Sequence, residues 1–245
     1  MRGFGWFRGP LLSMMLVAAG GWLGCDGDDG SPDTYSGEPT VLDGTWLQTW
    51  EDASGDAQSQ IAVLFEVSGA HYQITFFSDT LQEGGFKGTF EVDADRGVLL
   101  ASQTHAWDED SRNWKPEASE EEVGYVRDGD SLTLTPPEIA PFLLSRTVFS
   151  VRPELVATWY EIEPYDGVLE LDADGTFRYT AVGYEQSGPS WQASDQFIRS
   201  VVTSDTEMGQ GIEMSFFNAY EMPAPDTLHL AINEAGVQVY STTEP

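Results

Sequence analysis

The sequence predicts an all-β fold: two tandem small antiparallel β-barrels of about eight strands each, behind a removable leader and a disordered linker. Three observations predict it. From residue 41 onward apolar residues recur with period two, the signature of strands with one buried face. Asp-Gly and related turn signals punctuate these stretches at short intervals. A series of strand patterns in the first half is answered in the same order in the second. Beyond the leader, no stretch carries a sustained helical stripe.

Composition allows this reading and narrows the function. A chain of 245 residues that is 40% hydrophobic can build one large core or two small ones. Its 13 Phe, 9 Tyr and 8 Trp argue against a disordered chain, which would be poor in aromatics. Eleven Lys and Arg stand against 41 Asp and Glu, a formal net charge of -30. Binding phosphate backbones or anionic lipid surfaces needs clustered cations, so nucleic acid is excluded as a partner. The acids are spread along the chain and read as a well-solvated surface. The sharper alternative is attraction to a basic partner or to divalent cations.

The first element is the leader, residues 1–24. Arg2 and Arg8 form a basic start, Leu11 to Ala19 a short apolar stretch, and Gly20-Gly21 a small-residue end. That order is the order of a secretory signal, and the apolar stretch is short for a membrane-spanning helix. Trp22-Leu23-Gly24-Cys25 then resembles the lipobox of bacterial lipoproteins, with Trp22 where the family usually has Leu. The resemblance implies a diacylglyceryl group on the Cys25 sulfur and cleavage just before it. The protein would then be anchored by lipid to a membrane of the cell envelope, inner or outer. Cys25 is the only cysteine, so no intrachain disulfide forms. Acyl chains anchor by burial at ~0.8 kcal/mol per methylene.

Residues 25–40 join the lipidated cysteine to a flexible acidic linker, since Gly, Ser, Pro and like-charged Asp leave little to bury. Asp26-Gly27-Asp28-Asp29-Gly30 superficially matches a calcium loop but lacks the later Glu of an EF-hand. Asp26 resembles the inner-membrane retention signal of some Gram-negative lipoproteins.

The first barrel domain is expected over 41–150, with strands near 44–50, 60–67, 71–78, 86–92, 97–103, 121–127, 130–135 and 142–149. Ile61, Val63, Phe65 and Val67 alternate, as do Tyr72, Ile74 and Phe76. Arg127-Asp128-Gly129-Asp130 is a hairpin turn between Val123/Tyr125 and Leu132/Leu134. The second is expected over 152–245, near 157–163, 167–172, 176–183, 194–204, 210–217, 226–232 and 236–242. Eight antiparallel strands close into a barrel that side chains fill or that holds one small ligand. Closure also removes the exposed edges that invite aggregation.

The repeat is visible at three places in the same order. Gly44-Thr45-Trp46 answers Ala157-Thr158-Trp159. Phe65-Glu66-Val67 and Tyr72 to Thr75 answer Leu169-Glu170-Leu171 and Phe177 to Thr180. Leu132 to Thr147 aligns without gaps on Leu228 to Thr243. With Gly44-Thr45-Trp46 opening the first strand and Arg146 closing the last, the chain resembles the lipocalin-like families. The resemblance implies a barrel end closed by Trp46 beneath the Arg146 guanidinium, through cation–π contact and packing. Trp159 would take the place of Trp46 in the second repeat, where Ala157 replaces the Gly and Thr242 stands where Arg146 would be. It also implies an interior able to hold a small apolar molecule.

Catalytic chemistry finds no footing. The imidazoles are His71, His105 and His229, the first and last set to face solvent by alternation. No nucleophile elbow, zinc pattern, cysteine pair or phosphate-cradling glycine loop occurs. A non-enzymatic protein is therefore expected, without catalytic residues or cofactor. Asp172 and Asp174, with Gly175, are candidates for a calcium loop, as are Asp93 and Asp95 with Gly97; hairpin turns account for both more simply. Trp107, Trp114 and Trp191 suit a sugar-binding surface or the cap of a barrel mouth. The expected function is a membrane-anchored envelope lipoprotein, a monomer, with a binding role. The ligand would be a small apolar molecule among Val63, Phe65, Tyr72, Ile74 and Phe76. The alternatives are a scaffold contacting an envelope protein through its acidic surface and, behind it, a polysaccharide hydrolase using paired carboxylates.

Overall fold

The computed structural model describes residues 41–51, 60–78, 80–163, 166–207, 209–232 and 236–244; the leader, Cys25 and the acidic linker lie outside the described residues. The protein is all-β. The first half contributes β1 (Gly44–Glu51), β2 (Gln60–Ser68), β3 (His71–Ser78), β4 (Leu81–Asp93), β5 (Val98–Asp108), β6 (Asn113–Asp128), β7 (Ser131–Thr135) and β8 (Phe142–Thr147). Each pairs antiparallel with the next. β8 returns to β1, with Trp46 opposite Arg146, so the eight strands form a closed barrel.

A 3-10 turn at Pro153–Leu155 leads into further strands: β9 (Ala157–Glu163), β10 (Val168–Leu171), β11 (Phe177–Ala181), β12 (Tyr184–Gly188), β13 (Ser190–Ala193), β14 (Phe197–Asp205), β15 (Gly209–Ala224), β16 (Thr227–Ile232) and β17 (Gly236–Ser241). β9 to β12 pair in succession, β12 and β13 both pair with β14, and β14 to β17 follow in order. β17 pairs in turn with β9. Pro189, which has no N–H to give a ladder, separates β12 from β13.

Several elements exceed the apolar pattern. β4 begins at Leu81 and β6 at Asn113, through the polar stretches Gln82-Glu83-Gly84-Gly85 and Lys115 to Glu120. β12 and β13 occupy residues given no strand by their composition, and β15 runs on to Ala224, past the expected end near 217. In each case backbone pairing with a neighbouring strand recruits residues whose side chains give no periodic signal.

Alternation sorts the side chains. Trp46, Val63, Phe65, Val67, Phe90, Leu99, Leu132, Leu134 and Leu144 fill the first barrel. A separate core holds Trp159, Leu169, Leu171, Phe177, Trp191, Leu228, Leu230 and Tyr240. The registers run in parallel. Trp46 lies opposite Phe65 and Phe65 opposite Ile74; Trp159 lies opposite Leu169 and Leu169 opposite Tyr179.

The third core is built from outward-facing residues. Leu47, Ala62, Leu64 and Phe77 of the barrel meet Phe197 and Phe217 of β14 and β15. The Phe217 ring stacks on Phe77 at 5.1 Å and on Phe197 at 4.7 Å. Polar contacts flank the stack: the Phe217 N–H donates to the Thr80 carbonyl (2.9 Å), the Ser215 N–H to Gln82 Oε1 (3.1 Å), and Arg199 pairs with Glu66. β2 is thus buried on both faces, which explains its unbroken apolar run Ala62 to Phe65. Phe217→Ala is expected to cost about 3–5 kcal/mol, because a large cavity opens where the outer face of the barrel packs on β14 and β15. A lowered midpoint of urea unfolding checks this; an unchanged midpoint would remove the stack as an organising contact.

Candidate functional site

The two ends of the closed barrel are chemically different. At the first, Trp46 is fully buried and donates its indole N–H to the Leu42 carbonyl at 2.8 Å. The Arg127 and Arg146 guanidinium carbons lie 5.5 and 5.9 Å from the indole centroid. Arg146 also donates to the Asp43 carbonyl at 3.2 Å. Gly44 makes room for it: its φ is +130° and a Cβ there would lie 3.3 Å from Arg146 Nε. The Trp46–Arg146 juxtaposition expected from the sequence is therefore present. Arg127 is a second cation that the sequence reading missed, although it extends the inward-facing positions Val123 and Tyr125 by one more alternation.

At the opposite end, Ile74, Phe76 and Phe142 pack against the core but remain half-exposed. Phe86, opposite Ile74, joins them: Phe76 meets Phe86 edge-on at 6.0 Å and tilts against Phe142 at 6.2 Å. Val63, Phe65, Tyr72, Ile74 and Phe76 thus share one interior, as their alternation predicts. One carboxylate faces inward as well. Glu121 lies opposite Ala101, which lies opposite buried Phe90, and cross-strand partners share a face. Burial raises the Glu121 pKa; burial and then Glu121 push Tyr72 up to about 12. The run Glu120-Glu121-Glu122 hides this, because only register assigns Glu121 inside while Glu122 pairs outside with Arg96 at 2.5 Å.

The other sequence candidates fall elsewhere. Trp159 is buried and donates to the Leu155 carbonyl at 2.9 Å, the same four-residue link that Trp46 makes to Leu42. Among the described residues no cation sits over it. Asp172 and Asp174 are exposed, and both accept from the Thr176 hydroxyl, at 3.3 and 2.7 Å. The Thr176 N–H also donates to Asp174, holding its carboxyl below the usual range. Both thus serve the turn at Gly175. Asp93 likewise accepts the Arg96 N–H at 3.1 Å. Among the described residues no group of three or more His, Cys, Asp or Glu is placed to hold a metal. Trp107 and Trp114 form an edge-on pair at 5.5 Å, whereas Trp191 is buried in the second core. His71 is exposed and His229 half-buried.

Sequence reasoning also missed a buried polar cluster in the second half. Glu161 is 1% exposed on β9; its Oε2 accepts from the Tyr179 hydroxyl at 3.3 Å, and Oε1 has no partner. Gly167 permits the approach, since a Cβ there would lie 2.6 Å from both Glu161 Oε2 and the Tyr179 hydroxyl. Tyr179 meets Tyr184 at 6.1 Å, and the Tyr184 hydroxyl donates to Asp205 at 2.5 Å. The signal available was Glu161 at an inward position, two residues after Trp159.

Comparison of the chain with protein-family profiles, curated proteins and solved structures returns no match. Fold and geometry alone define the class: an all-β protein with a closed eight-stranded antiparallel barrel and additional strands.

Burial raises the Glu161 pKa, against the opposing bonds from Tyr179 and the Gly167 region. The native state then binds the proton more tightly than the unfolded chain, so this group's contribution to stability falls as pH rises through the carboxylate range. Glu161→Gln is expected to raise the melting temperature at neutral pH by roughly 2–4 °C, the equivalent of about 1 kcal/mol in a protein of this size. The gain should shrink in acid, where the native carboxyl is itself protonated. Melting curves at acidic and neutral pH check this; an equal gain at both would remove the protonation argument.

Proposed function

We propose that the protein is a lipid-anchored binding protein of the bacterial cell envelope, with a small apolar ligand entering the first barrel. The observation that carries this reading is the contrast between its ends. One is sealed by Trp46 beneath Arg127 and Arg146; the other carries Ile74, Phe76, Phe86 and Phe142 as half-exposed apolar side chains packed on the core. Aromatic walls with few polar groups suit apolar ligands, and Glu121 with Tyr72 would orient one bearing a polar end. The anchor rests on Arg2, Arg8, the apolar stretch and Cys25. No helix among the described residues is long and apolar enough to cross a membrane.

The chain is further read as two lipocalin-like barrels in tandem, the second over 152–245. Support comes from the pairing of β17 with β9, the matched registers around Trp46 and Trp159, and the shared indole-to-carbonyl link four residues upstream. Leu132, Leu134 and Leu144 match buried Leu228, Leu230 and Tyr240 under the gapless alignment.

Native mass spectrometry of the protein purified from its own host tests the ligand directly, a co-purifying small apolar molecule being expected. A neutral fluorescent probe, 1-aminoanthracene, is expected to bind saturably, and Phe142→Glu to weaken it by about tenfold, since a charge at an apolar mouth resists desolvation. Probe affinity unchanged by Phe142→Glu would place binding outside the barrel. Cys25→Ser is expected to move the protein from the membrane fraction to the soluble one; retention in the membrane would overturn the anchor.

A further inference from the structure

Beside the aromatic stack that joins the two halves lies a pocket of about 680 Å3 on the outer face of the barrel. Glu66, Gln73, Lys87 and His105 form one outward-facing row, each opposite the next across β2, β3, β4 and β5. His71 lies at the start of β3, and Arg199 reaches in from β14. The pocket is thus lined from both halves of the chain.

Its chemistry departs from that of the protein around it. In a chain of net charge -30, the charged residues here are Lys87 and Arg199 against Glu66, with two of the three histidines. Arg199 pairs with Glu66 through Nη1, but its buried Nε–H has no acceptor. Lys87 has no carboxylate partner among the described residues; its Nζ rests 4.8 Å from the Trp114 ring centroid. An orphaned guanidinium N–H is costly, and an acceptor that fills the pocket relieves it. His105 adds a ring nitrogen, its Nδ1 lying 3.0 Å from Thr104 Oγ1.

We propose that this pocket binds a small oxyanion, a phosphoryl or carboxylate group held between Lys87, Arg199 and His105. Charge-assisted hydrogen bonds from ammonium and guanidinium are the strong contacts such a group makes. The distant carboxylates do not forbid it, because charges beyond about 8 Å are largely screened at physiological ionic strength. The pocket shares Val67 and Tyr72 with the barrel wall, but its cations lie on the outward-facing row and on β14, so the proposal does not depend on the apolar ligand.

Burial first, and Lys87 second, hold the His105 imidazole below its ordinary pKa. A bound oxyanion neutralises Lys87 and favours the imidazolium, so the His105 titration moves to higher pH. The other titratable groups lining the pocket are Glu66, His71, Tyr72, Lys87 and Arg199, and the neighbouring strand β6 carries Glu117 next to Pro116, the partner of His105.

The test is an NMR titration of the histidine ring protons in the full chain with inorganic phosphate and, separately, succinate. Sodium chloride at matched ionic strength is the control. A saturable His105 response with a raised pKa is expected; a response to phosphate alone assigns phosphoryl groups, and to both, carboxylates as well. Lys87→Met keeps the stem over Trp114 and is expected to weaken the anion by about tenfold while leaving 1-aminoanthracene binding unchanged. Arg178→Met, at an exposed Arg paired with Glu185, is expected to have no effect. Should Lys87→Met fail to fold, His105→Gln read by calorimetry with phosphate replaces it, with weaker binding expected. No saturable response, an equal response to chloride, or undiminished affinity in the variant would each overturn the proposal.

Discussion

The arrangement of the molecule depends on one contact: Phe217 wedged between Phe77 and Phe197, where the outer face of the closed barrel meets β14 and β15. A barrel satisfies its own backbone and its own interior, so nothing in barrel physics requires its outer face to be apolar. Here Leu47, Ala62, Leu64 and Phe77 are apolar on that face and buried. The gain from removing them from water fixes the additional strands against the barrel. Arg199–Glu66 and Ser215–Gln82 then set the register of that packing, because displaced partners would leave buried polar groups unpaired. The oxyanion pocket exists only because this contact brings Arg199 to the row of Glu66, Gln73, Lys87 and His105.

Within the barrel the division of labour follows from where polar and apolar groups sit along inward-facing rows. The Trp46 end is closed by a large ring whose one polar atom is satisfied by a main-chain carbonyl, with two guanidinium groups above it. Toward the other end the rows run out into partly exposed aromatics. The second half carries a different polar content: buried Asp205 accepts from the Tyr184 hydroxyl, Gln186 Nε2 and the Glu207 N–H, whereas buried Glu161 accepts from Tyr179 through one oxygen and leaves the other without a partner. A buried carboxyl oxygen without a partner weakens a fold unless it gains something else.

Much of the barrel was legible in the chain. Alternation at Val63, Phe65, Tyr72, Ile74 and Phe76 is a direct consequence of strand geometry, and the register places all five around one interior. The pairing of Trp46 with Arg146 was expected from a family resemblance rather than from periodicity, and the return of β8 to β1 places the two opposite each other. Less legible were the strands whose side chains are polar on both faces, such as the early part of β6, or interrupted by proline, as at Pro189. Their strand character comes from backbone partners, which composition does not record. Trp191 was misplaced for the same reason: a short polar strand carries it into the second core.

The sequence by itself determined the all-β class, the inward faces of the main strands and the acidic character of the surface. All of these depend on residues near one another in the chain or on the rule that side chains alternate. Tertiary structure alone decided which outward faces would be covered, that Arg127 joins Arg146 over Trp46, that Glu121 points inward among its neighbours, and that Lys87, His105 and Arg199 converge. Those depend on contacts between residues tens to more than a hundred positions apart, whose partners are chosen by register and packing and leave no periodic trace in the chain.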